Sequence, residues 1–140
     1  MSRAPGEGGT LLAVAAGGVL GSLGRWAVSS AAGAPWGTVV VNLTGALTLG
    51  LLVAWLGAAQ RHPLVRPFVA VGLLGGWTTY STFALDGHAL ATDGLGGLLG
   101  YLALTLGLGV GAALAGLVIG ERLWHTPPLV DDTAIDQEEL

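Results

Sequence analysis

The sequence predicts an all-α membrane protein of four transmembrane helices, the third broken at mid-membrane. Of 140 residues, 52% are hydrophobic and only 10% charged, with a mean hydropathy of +0.71, outside the range of soluble domains. Long apolar runs alternate with short clusters of Pro, Gly and charge. The third run also carries glycines and hydroxyl residues at its centre, where lipid favours Leu and Ile. A hydrocarbon core about 30 Å thick needs roughly 20 apolar residues per helix, so this length holds four crossings and leaves no room for a catalytic domain.

Residues 1–9 form a leader with Arg3 and Glu7, and helix one follows over about 10–31. The apolar run outlasts a signal-peptide core, so it is read as a retained helix. Its one charge, Arg25, either snorkels to the interface or serves as an anion-attracting or structure-locking charge. After the turn Ala32-Gly33-Ala34-Pro35, helix two covers about 36–59 without a charge and closes at Gln60, Arg61, His62 and Pro63, where Pro and polar residues stop a helix. Asn42 is its most polar member. The amide either bonds another helix or offers its NH₂ to a passing anion.

Helix three is expected over about 66–85, with Pro67 suited to its first turn. The stretch Gly75-Gly76-Trp77-Thr78-Thr79-Tyr80-Ser81-Thr82-Phe83 predicts the break, tolerated only where freed backbone groups face protein, water or an ion. Thr78, Thr79, Ser81 and Thr82 can back-bond to helix carbonyls. Beside paired glycines, unwinding also exposes carbonyls to a cation and amides to an anion. Asp86 to Asp93 reads as a polar connection at the membrane surface. Helix four follows over about 94–119, and residues 121–140 form an acidic, solvated tail. Tyr101 and Thr105, four apart, share one face with Gly109, as a polar track or with Tyr101 in the interfacial belt. Gly17 with Gly21, Gly96 with Gly100, and Gly107 with Gly111 have the spacing that lets two helices approach.

Cysteine is absent, which removes disulfides, thiol catalysis and thiolate metal sites. There is no Lys, and the net charge of −4 comes largely from Asp131, Asp132, Asp136, Glu138 and Glu139, so no nucleic-acid footprint exists. No enzyme is expected: His62, His88 and His125 lie in connections or ends, away from any nucleophile.

Three stretches in order resemble the CrcB/Fluc family of fluoride channels. Gly17-Gly18-Val19-Leu20-Gly21-Ser22-Leu23-Gly24-Arg25-Trp26 is similar to the family's GGxxGxxxRY pattern, and Gly37-Thr38-Val39-Val40-Val41-Asn42-Leu43-Thr44-Gly45 to its GTLxVNxxG. The residues from Gly75 to Phe83 resemble its GGxTTFSTF, and the likeness covers about residues 10–120. The resemblance implies an antiparallel, dual-topology type of dimer with two fluoride pathways and a structural sodium ion at the subunit interface. By motif position, backbone carbonyls of Gly75 and Thr78 would hold the sodium, and Asn42 would be the pore-facing amide. Tyr80 and Phe83 stand where the family places two phenylalanines, with the hydroxyls of Ser81 and Thr82 nearby and Tyr101 and Thr105 as the polar track. Asp86 falls where members carry an acid near a pore mouth, and Arg25 is a pore-mouth or structural charge. Trp26 replaces a common Tyr, Tyr80 the first phenylalanine, and Gly109 a Ser found in some members.

The implied activity is passive fluoride efflux across the cell membrane, which lowers cytoplasmic fluoride and confers resistance to it. Fluoride is small and tightly hydrated, so neutral donors suit a pore that must also release it. Alternatives are a small four-helix multidrug-type exporter, which needs a membrane carboxylate that Thr10 to Leu85 lacks, and a non-conducting partner subunit of a heterodimeric channel. The leader, the loop between helices two and three, and the tail share one side and hold Arg3, Arg61, Arg66 and Arg122, against Arg25 alone for the other. That bias puts those segments in the cytoplasm. A homodimer inserting both ways needs near-balanced charge, so the bias favours a heterodimer with an oppositely oriented paralogue. Expected partners are thus fluoride, sodium, the lipid bilayer, and a copy or paralogue of this chain.

Overall fold

A computed structural model describes residues 6–124. Arg3, His125 and the acidic residues from Asp131 to Glu139 lie outside the described residues. α1 covers Glu7–Ala32, beginning before the expected Thr10, because Glu7 in the first turn complements the helix dipole. It ends at Gly33, whose φ of 71° favours glycine and whose N–H returns to the Ser29 carbonyl. α2 covers Trp36–Ala58.

The third span is built from unlike pieces. Pro67–Leu74 winds as a π-helix, α3 adds one turn at Gly75–Trp77, the helix lapses at Thr78, Thr79 and Tyr80, and α4 resumes over Ser81–Asp93. This corrects the expected surface connection: Asp86 to Asp93 is helical, and Gly94, with φ 136°, alone turns the chain into α5 at Leu95–Trp124. The physical reason is a helical face hidden among polar residues. Phe83, Gly87 and Leu90 recur at helical spacing and meet α5, where the Phe83 and Tyr101 rings lie 5.3 Å apart between centroids. A Cβ at Gly87 would stand 3.5 Å from Leu98, and one at Gly97 would touch Leu90. α5 also outruns its expected end at Ile119, because Gly120 packs against Ala54 of α2 and does not cap the helix.

Among the described residues, Glu7–Ala32, Trp36–Ala58, Pro67–Asp93 and Leu95–Trp124 are long and apolar enough to cross a membrane. Close backbone approach organises them. α1 lies against the π-helical segment, where a Cβ at Gly17 would strike the Phe68 carbonyl and one at Gly21 the Leu73 carbonyl. α2 lies against α5, where a Cβ at Gly116 would strike the Leu47 carbonyl. The expected pairs in helix four behave otherwise: Gly96, Gly100, Gly107 and Gly111 face open space in the single chain. Large apolar side chains point outward, Leu12 at 73% exposure and Leu95 at 71%, the inversion of a soluble fold that lipid permits.

Candidate functional site

The break in the third span is where the helices hand over their hydrogen bonds. Thr78 N–H still reaches the Leu74 carbonyl at 3.0 Å, but Thr78 itself is extended, with φ −78° and ψ 158°. Thr79 N–H then leaves the helix and donates to Asn42 Oδ1 at 2.8 Å, while Asn42 Nδ2 donates to the Thr79 carbonyl at 3.0 Å. One side-chain amide thus satisfies both polar groups of a buried backbone residue, as membrane interiors require. Asn42 keeps a second Nδ2–H for another acceptor. Its interhelical and donor roles, alternatives in sequence, are compatible in three dimensions.

Arg25 reaches the same segment, donating from Nη1 to the Thr78 carbonyl at 3.2 Å. Below the break, Thr79 Oγ1 accepts from Thr82 Oγ1 at 2.6 Å and from Thr82 N–H at 3.3 Å, and lies 3.4 Å from Ser81 Oγ. With both lone pairs engaged, the Thr79 hydroxyl has only its proton to give, and Ser81 is its acceptor. Ser81 therefore retains an unused O–H, whereas that of Thr82 is spent on Thr79.

Beside the break lies a cavity of about 320 Å³ lined by Asn42, Thr78, Tyr80, Phe83, Thr105 and Gly109, among others. Tyr80, Phe83 and Tyr101 form a row of rings, with centroids 6.1 Å apart for the first pair. The hydroxyls of Tyr101 and Thr105 are buried without a hydrogen-bond partner among the described residues. None of the lining side chains carries a formal charge. Ser81 and Thr82 are exposed on the chain's surface and do not line this cavity. Asp86 sits one turn further along α4 and accepts from Thr38 Oγ1 at 2.5 Å, at the opening turn of α2.

Gly75 and Thr78, the expected sodium carbonyls, differ in fit. Diversion of Thr79 N–H to Asn42 removes the helical partner of the Gly75 carbonyl, and Gly75 itself faces open space. The Thr78 carbonyl has given one lone pair to Arg25 and keeps one. A hard cation takes more oxygens than these two, so the two carbonyls do not by themselves complete a site.

Sequence reading missed three contacts. That of Thr38 was within reach, since it precedes Asn42 by one helical turn and shares its face. The clamp of Asn42 on the Thr79 backbone and the contact of Trp77 Nε1 with Thr44 Oγ1 at 2.9 Å depend on how α2 meets the break, which no local pattern encodes.

A profile of the CrcB-like protein family, Camphor Resistance (CrcB), matches residues 12–117. "Fluoride-specific ion channel FluC 2" of Nocardia farcinica is 45% identical over 117 residues, covering 79% of this chain and 81% of the relative. "Fluoride-specific ion channel FluC 1" of Nitrobacter hamburgensis is 42% identical over 117 residues, covering 78% and 93%. "Fluoride-specific ion channel FluC" of Paracoccus denitrificans is 42% identical over 121 residues, covering 82% and 97%. With the profile spanning nearly all of the described helices and these relatives matched over most of their length, this multi-pass membrane protein belongs to the CrcB family.

Proposed function

We propose that the chain is a subunit of a fluoride-selective channel that passes the ion passively out of the cell and so confers fluoride resistance. The observation that carries this reading is the uncharged cavity at the break, bordered by Asn42, Tyr80, Phe83 and Thr105. Its donors are neutral. The spare Nδ2–H of Asn42, the hydroxyls of Tyr80 and Thr105, and the electropositive ring edge of Phe83 can replace water around a small anion without the deep trap of a buried cation. Tyr101 supplies the orphaned hydroxyl next to Thr105. Ser81, with its unused O–H, serves as the hydroxyl donor of the break, and Thr82 holds Thr79 in place. Arg25 is a structural charge on Thr78, and Asp86 marks the mouth near the start of α2. The printed names of the relatives support fluoride as the ion.

The working unit is an antiparallel pair. Tyr80 is 81% exposed, and Gly75, Gly100 and Gly107 lie open in the single chain, so a second subunit can close the cavity and complete a sodium site with its own Gly75 and Thr78 carbonyls. Bound there, sodium would fix the two breaks against each other. The one-sided arginines favour an oppositely oriented paralogue as that subunit over an identical copy. The exporter alternative gains little from Asp86, whose Oδ2 is already hydrogen-bonded to Thr38 in the opening turn of α2.

Electrode-detected fluoride efflux from liposomes, with chloride as the control, tests the reading. Efflux of fluoride alone is expected, reduced by Phe83→Ile and by Ser81→Ala. Flux unchanged in both variants would remove the assigned pathway.

A further inference from the structure

A second cavity, of about 580 Å³, lies at the other end of α2, where the chain turns into the π-helical segment. Its lining has two characters. Arg61, His62 and Arg66 form a polar rim, and Leu49, Val53 and Leu56 form a wall along α2. From Leu49 to the end of α2 at Ala58, the helix rises about 14 Å at 1.5 Å per residue, close to one leaflet of a 30 Å hydrocarbon core. No carboxylate lines the cavity.

The rim is ordered in advance. The Arg61 guanidinium rests over the Trp55 ring, 4.3 Å from its centroid, a contact that holds the cation while leaving its N–H donors at the edge. Val65 N–H bonds the His62 carbonyl at 2.9 Å, and Leu64 N–H bonds His62 Nδ1 at 3.3 Å. With Nδ1 accepting, the neutral imidazole carries its proton on Nε2, a further donor. Arginine donors of this kind match phosphate oxygens.

A soluble anion would use the rim and find no purpose in a wall of leaflet depth. An acyl chain would. The expected orientation also puts this loop at the cytoplasmic leaflet, where anionic lipids concentrate. We infer that the cavity binds one anionic phospholipid, with its phosphate on Arg61 and Arg66 and an acyl chain along the Leu49, Val53 and Leu56 face of α2. The inference is independent of fluoride conduction. A smaller cavity shares Leu49 and Ala70 with this one and continues to Asn42, so a small free anion is the rival occupant to be separated by experiment.

Native mass spectrometry of the full-length protein, offered equal phosphatidylglycerol and phosphatidylcholine, reads the preference directly. Each arginine is expected to contribute about 5-fold, so Arg61→Gln/Arg66→Gln lowers the preference for phosphatidylglycerol about 25-fold. Arg61→Lys/Arg66→Lys keeps most of it. Val53→Trp, which fills the wall and leaves the rim intact, lowers retention of both lipids. A preference unchanged in the double Gln variant, or inorganic phosphate displacing phosphatidylglycerol at equal concentration, overturns the inference. Fluoride efflux from the same preparations is scored separately, so an unsubstituted protein that conducts fluoride but shows no preference for phosphatidylglycerol refutes the lipid site alone.

Discussion

Replacing Asn42 by Ala removes both partners of the Thr79 backbone at once. Thr79 is 7% exposed, so water cannot readily take over the bonds of 2.8 Å and 3.0 Å that the amide supplies. Leaving one buried backbone group unsatisfied costs about 1–3 kcal/mol, and two such groups bring the penalty to about 2–6 kcal/mol, a large part of a stability of about 5–15 kcal/mol. The break should therefore loosen before the bundle does. Hydrogen exchange at the Thr79 amide reads this locally: losing its one bond should accelerate exchange about 5- to 150-fold. Asn42→Asp separates the two halves of the clamp, because a carboxylate still accepts from Thr79 N–H but repels its carbonyl. Protection of the amide should survive in Asn42→Asp while fluoride efflux falls. Thr79 exchange unchanged in Asn42→Ala would refute the clamp and leave Asn42 as a pore ligand alone.

Gly21→Ala should destabilise the protein by about 1–3 kcal/mol, since the new methyl meets the Leu73 carbonyl and stands 2.9 Å from the Trp77 amide nitrogen; thermal unfolding in detergent checks it against Gly9→Ala, where nothing lies within 4 Å, and equal melting of the two would discount the packing of α1 on the third span. Thr38→Val keeps the shape of the side chain but removes the donor to Asp86, a loss of about 1.5–3 kcal/mol for a hydrogen bond to a charged group. Thr38→Ser should restore it, and a stability indifferent to all three side chains would mean that the bond is not formed.

Four spans and an interruption in the third were legible because both follow from composition along the chain: lipid demands apolar runs, and Gly75 and Gly76 ahead of Thr78 and Thr79 make poor helix. Where helices end was less legible. The stretch from Asp86 to Asp93 reads as a surface loop because it opens on Asp, Gly and His and closes on Asp, yet it continues the helix of Phe83, and Phe83, Gly87 and Leu90 together pack on α5; an element packed on one face tolerates polarity on the other. The π-helical winding of Pro67–Leu74, against which α1 packs through Gly17 and Gly21, left no mark in a uniformly apolar run. Candidate residues such as Asn42 and Phe83 could be nominated from their types and the family resemblance. Their mutual geometry could not be.

That geometry bears on why a break in the membrane is sustainable at all. Freed backbone groups are expensive in lipid, and here three of them are taken by side chains of two other helices: Asn42 of α2 takes both ends of Thr79, and Arg25 of α1 takes the Thr78 carbonyl. The Gly75 carbonyl loses its usual helical donor, the Thr79 N–H, to Asn42. A single amide therefore links the two sides of the third span: it frees the Gly75 carbonyl of its helical donor, and it holds the turn that brings Tyr80 and Phe83 to the cavity. The proposed sodium site and the proposed fluoride path are thus coupled through Asn42. On that account Asn42→Ala should weaken sodium dependence and fluoride efflux together, and a variant that lost one while keeping the other would separate them.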